Sequence, residues 1–130
     1  MIADPNRVPD RSWPGKFQDA FRGVRLGVRG QKSFYVHLFF SIAVVLAGVL
    51  FQVDRTEWCL LILCIAGVLT AEMFNSALEW LARSLPEGGH PQLGSALDIG
   101  SAAVLIASIG SVIIGLLVFV PHLLKLLSNG

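Results

Sequence analysis

Residues 71–79 read Ala-Glu-Met-Phe-Asn-Ser-Ala-Leu-Glu and lie inside a long apolar segment, Trp58 to Ala82. The run opens with about fourteen uncharged residues before it meets Glu72. Two carboxylates and a carboxamide at that depth are costly if the segment crosses a bilayer, about 2.5–3.5 kcal/mol for a charge near its centre. Glu72, Asn75, Ser76 and Glu79 stand at i, i+3, i+4 and i+7, so a helix gathers them on one face. Such a face cannot look at lipid and turns toward other helices or a wet cleft.

The segments on either side fix the context. Phe34 to Phe51 carries only His37 and Ser41 as polar side chains and is about long enough to span. Ile99 to Val120 is apolar and rich in Gly, Ala and Ser, which suits close helix contact in lipid. The turn 52–57 between the first two spans is short and polar. Residues 83–97 hold Pro86, Gly88, Gly89, Pro91 and Gly94 and read as a loop. Upstream, Phe17, Phe21, Val24 and Val28 recur at helical spacing opposite Arg22, Arg25 and Arg29. That pattern predicts an amphipathic helix over 16–31, lying in the interface with its arginines toward headgroups. Residues 1–15, with Pro5, Pro9 and Pro14, read as a flexible polar arm. The expected fold is therefore an all-α membrane protein: an N-terminal amphipathic interfacial helix and three transmembrane helices, at about 34–51, 58–82 and 99–120, with residues 16–130 as the membrane domain.

Composition agrees. The chain has 130 residues, 54% hydrophobic and 15% charged, with a net charge of +1. Soluble domains are about 25% charged. The length leaves no room for a separate soluble catalytic domain, and the charge gives no reason to expect nucleic acid as a partner. Cys59 and Cys64 are five residues apart, off one helical face, and read as small packing residues. Residues 1–32 hold seven Lys or Arg against Asp4, Asp10 and Asp19, so the positive-inside rule sets the N-terminus in the cytoplasm. Three spans then bring Glu79 and the 83–97 loop to the cytoplasmic side, where nucleotides are.

Glu79 lies about 10 Å further along the axis than Glu72, at about 1.5 Å per residue. Glu79 then sits near the interface and Glu72 deeper, within reach of a lipid's polar end. This arrangement suits phosphoryl transfer from a soluble donor to a lipid alcohol, which needs a cation, a base or orienter, and in-line placement. Hard carboxylate oxygens suit Mg²⁺. Two other readings remain open on pattern alone: hydrogen-bonded glue between helices, or a proton relay in a small channel. Asp98 reads as a helix cap or a nucleotide-site residue, and His90 as a solvated loop residue or a nucleotide contact.

The assembled pattern resembles the small prokaryotic diacylglycerol kinase and undecaprenol kinase family of integral-membrane lipid kinases. The segments that carry it are Ala-Phe-Arg-Gly-Val-Arg (20–25), Ser-Phe-Tyr-Val-His (33–37), Glu-Trp (57–58), residues 71–79, and Asp-Ile-Gly-Ser-Ala-Ala-Val (98–104). The resemblance implies a homotrimer in a bacterial inner membrane, with active sites between subunits and ATP and Mg²⁺ used to phosphorylate diacylglycerol or undecaprenol. It implies Glu72 as catalytic base and Glu79 as metal ligand with Asn75 beside it. His90 and Asp98 then lie near the nucleotide, and Arg25, Phe34 and Ser101 line the lipid site. Three positions depart from the family's pattern. Gln31 stands for a metal-holding Glu, Leu97 for a phosphate-pairing Lys, and Arg83 for an acid. These departures motivate an alternative, a member that binds lipid or nucleotide with impaired catalysis.

Overall fold

A computed structural model describes residues 12–88 and 90–130. They form four helices and no strand: α1 (Trp13–Val28), α2 (Lys32–Leu50), α3 (Arg55–Ser84) and α4 (Pro91–Ser128). The last three are each long and apolar enough to cross a membrane. The all-α architecture expected from the sequence, one amphipathic helix and three apolar ones, is what the chain adopts.

Helix α1 begins at Trp13, three residues before the expected boundary. Ser12 caps it, its Oγ accepting from Gly15 N at 3.4 Å, and Pro14 sits in the first turn where a missing N–H costs nothing. The proposed flexible arm thus loses residues 13–15 to the helix, and residues 1–11 lie outside the described part. The chain leaves α1 through Gly30, whose φ of +76° suits glycine, and enters α2 at Gln31.

Helix α3 runs back against α2. The connection is tighter than the expected 52–57 turn, because Asp54 Oδ1 accepts from Glu57 N at 2.9 Å and starts α3 at Arg55. Gln52 absorbs the reversal in the left-handed region, at φ 51°.

The loop expected over 83–97 is corrected: α4 is already helical from Pro91. Proline at the first helical position is pre-set for a helix, and a single interior glycine such as Gly94 costs only about 1 kcal/mol. Asp98 consequently lies inside α4 and caps nothing. The helix also passes Pro121 and ends at Ser128, well beyond the expected Val120.

α3 and α4 pack antiparallel, in a register that shifts by four residues toward the Glu57 end. A Cβ added at Gly100 would lie 2.7 Å from Asn75 Oδ1. Eleven residues on, Ser111 Oγ donates to the Cys64 carbonyl at 3.5 Å, and after eleven more His122 Nε2 meets Glu57 Oε2 at 2.7 Å. The apolar core gathers at the Glu57 end, where Val53, Leu61 and Val118 are buried against Trp58 and Phe119. The opposite end of α3 buries polar groups instead, Glu72 and Ser76, each 1% exposed.

Candidate functional site

Ser76 joins α1 to α3. Its hydroxyl donates to the Gly27 carbonyl at 3.1 Å. That carbonyl belongs to the last turn of α1, where no helical N–H is left to satisfy it. Gly27 also lets the helices close: a Cβ there would lie 2.5 Å from Met73 Sδ. Between the two helices runs an apolar cleft of about 880 Å³, bordered by Gly23, Leu26, Phe34, Leu69, Met73 and Trp80. Phe34 is buried at its edge.

Glu72 sits one turn deeper than Ser76. Ser33 Oγ donates to its Oε1, and His37 Nε2 lies 3.1 Å from the same oxygen. A buried carboxylate is tolerated only with such partners. Glu79 is half-buried nearer the α3 terminus. Gln31 Nε2 donates to its Oε2 at 2.7 Å and Asn75 Nδ2 to its Oε1 at 3.2 Å, while Arg83 Nη2 lies 3.7 Å from Oε2. Helix α3 thus holds two separate carboxylate centres on one face, each completed by residues flanking or opening α2.

Both carboxamides turn N–H groups onto Glu79 and Arg83 stands beside it, so their oxygens point away from the carboxylate. Asn75 Oδ1 is buried with no hydrogen-bond partner among the described residues, and it borders a cleft of about 440 Å³ between α3 and α4. Gln31 offers a second carboxamide. As residue types, one carboxylate and two carboxamides are ligands Mg²⁺ takes, and both amides would have to turn to present oxygen. No group of three or more His, Cys, Asp or Glu that would cage a metal occurs among the described residues.

The other expected site residues stand apart in the single chain. Arg25 is exposed on α1. His90 is exposed at the α4 N-cap and makes no capping hydrogen bond. Asp98 is exposed on α4, and Ser101, also exposed, turns its hydroxyl back to the Leu97 carbonyl at 3.1 Å. Leu97 is half-buried. Ser33 and His37 are absent from the sequence-based site candidates, and His37 figures there only as a polar side chain of the first span. Their spacing of four, which puts both on one face of α2, is the signal available for them.

Fold and site together define a small helical membrane protein with acidic groups buried near one end of its spans. Residues 18–119 match the prokaryotic diacylglycerol kinase family, and the chain belongs to it. Its relatives include an undecaprenol kinase of Bacillus subtilis, 33% identical over 107 residues, which are 82% of this chain and 87% of the relative. A diacylglycerol kinase of Synechocystis is 31% identical over 112 residues, 85% of this chain and 64% of the relative. The Escherichia coli diacylglycerol kinase is 41% identical over 76 residues, 56% of this chain and 62% of the relative.

Proposed function

We propose that this protein is an ATP-dependent lipid kinase that phosphorylates the hydroxyl of a membrane lipid alcohol, diacylglycerol or undecaprenol. The observation that carries this reading is the pair of carboxylate centres on α3, Glu72 buried deep and Glu79 toward the helix end, beside an apolar cleft. Family membership supports it.

In this reading residues 16–130 form the kinase domain. The lipid chain lies along the α1–α3 cleft against Phe34, with Arg25 at the headgroup and Asn75 and Ser101 near the reacting end. Glu72 takes the hydroxyl proton as the new oxygen–phosphorus bond forms. The bond between the γ-phosphorus and the bridging oxygen breaks, and ADP leaves with that oxygen. His90 and Asp98 contact the nucleotide. Glu79 and Asn75 would hold Mg²⁺, with Gln31 as a further oxygen donor. When bound, the ion would supply positive charge against the transferring phosphate. The protein lies in the bacterial inner membrane with its N-terminus in the cytoplasm, as the basic stripe of α1 favours. It acts as a homotrimer, which brings the outlying Asp98 and His90 to a neighbour's Glu79.

The test is transfer of label from γ-labelled ATP to diacylglycerol or undecaprenol by the purified protein. The expected result is one labelled lipid with wild type and none with Glu72→Gln. Equal labelling by wild type and Glu72→Gln removes Glu72 from the chemistry, and no labelled lipid at all refutes the kinase reading.

A further inference from the structure

Two side chains of α2 converge on a single oxygen of Glu72. Ser33 Oγ donates to Oε1, and His37 Nε2 faces the same atom at 3.1 Å. Oε2 has no hydrogen-bond partner among the described residues. A carboxylate acting as base only accepts, so in this reading His37 meets it with Nε2–H. We infer that Ser33 and His37 are positioning residues that pin Oε1 and thereby leave Oε2 as the oxygen that receives the substrate proton. The inference rests on the reading of Glu72 as the base.

The terminal torsion of a glutamate is broad and two-fold, so an untied carboxylate swings either oxygen forward. A base works only within hydrogen-bond reach of the proton it takes. Two donors on one oxygen remove that freedom, and they also solvate a carboxylate that is 1% exposed. Both donors come from the first turns of α2, at i and i+4, so one rigid helix face supplies them. His37 is 22% exposed. It borders a separate cavity of about 320 Å³ among α2, α3 and α4, with Ser41, Cys64 and Ser108. It does not border the α1–α3 cleft. Its polar contact is the Glu72 carboxylate, through which the positioning role is argued.

Steady-state kinetics of the full chain, with ATP and the lipid that wild type labels, test this. Misplacing a catalytic group by about 1 Å costs on the order of a hundredfold. His37→Leu is expected to lower kcat roughly tenfold to a hundredfold, with KM for ATP and lipid unchanged. His37→Gln, whose amide still offers an N–H to Oε1, is expected to recover most of kcat. Ser33→Ala is expected to lower kcat roughly tenfold to a hundredfold, as loss of one hydrogen bond to a charged group does. Full kcat in His37→Leu or in Ser33→Ala overturns the inference, as does a His37→Gln variant no better than His37→Leu. If His37→Leu does not fold, Ser33→Ala decides: full kcat there overturns the inference. Glu72→Gln runs in parallel. Activity surviving there refutes the base itself, whereas loss there with full kcat in His37→Leu refutes only the positioning role.

Discussion

Gln31 Nε2 donates to Glu79 Oε2 at 2.7 Å, across 48 residues of sequence. The bond ties the junction of α1 and α2 to the end of α3. It also uses a neutral amide where a second carboxylate would double the local negative charge. Arg83, 3.7 Å from the same oxygen, offsets that charge further.

Gln31→Glu should therefore strengthen the requirement for a cation and its capture. One added charge at about 4 Å in a wet site is worth about 1 kcal/mol, or roughly fivefold. The Mg²⁺ concentration for half-maximal turnover is expected to fall by that factor. The thermal midpoint without Mg²⁺ should fall as well, because the two carboxylates then repel. A Mg²⁺ titration that does not move would place the cation away from Glu79.

The pattern at 71–79 and its apolar surroundings made the helices and the acidic face legible, because both follow from period and burial cost. What the sequence hid was register between helices. Nothing in the spacing along α2 says that His37 lies opposite Glu72, or that Gln31 lies opposite Glu79. The start of α4 was hidden for a different reason. Pro91 and Gly94 are breakers in a helix interior, yet proline in the first turn is favourable, and only the formed helix shows which case applies.

Gly100 and Gly48 separate a site effect from a packing effect. A Cβ at Gly100 would lie 2.7 Å from Asn75 Oδ1 and 2.8 Å from Leu78 Cδ1, so Gly100→Ala pushes on the residue that donates to Glu79. Turnover is expected to fall roughly tenfold, and the Mg²⁺ requirement to rise, as displaced first contacts do. A Cβ at Gly48 would meet the Trp58 ring at 2.7 Å, at the far end of the molecule. Gly48→Ala should cost about 1–3 kcal/mol of stability, as overpacking does, and leave the Mg²⁺ titration where it is. Thermal unfolding and Mg²⁺ titration of both variants check the contrast.

Ser76→Ala removes the hydroxyl that satisfies the Gly27 carbonyl and leaves the apolar contact with Met73 in place. Interhelical hydrogen bonds in membranes average about 0.6 kcal/mol. A small fall in thermal midpoint is therefore expected. Gly27→Val acts on the same joint more severely, since its branched side chain drives into Met73 and lifts α1. Because the cleft proposed for the lipid lies between these helices, Gly27→Val should raise KM for lipid more than KM for ATP. Equal changes in both constants would mean that α1 does not shape the lipid groove.

Asp98 supplies the test of assembly. Gly100 faces Asn75 and Leu78 on α3, and Asp98, two residues earlier, lies about 200° around α4 from it at about 3.6 residues per turn. Asp98 is exposed accordingly. One chain therefore does not bring Asp98 and Glu79 to the same phosphate, and a site using both draws on two copies. Glu72→Gln and Asp98→Asn are each expected to be inactive alone. Mixed in equal amounts, dissociated and reassembled, they should regain roughly a quarter of wild-type turnover, because a neighbouring pair has both intact residues about one time in four in a ring of identical contacts. No recovery at any mixing ratio would confine the site to a single chain and require α4 to rotate within it.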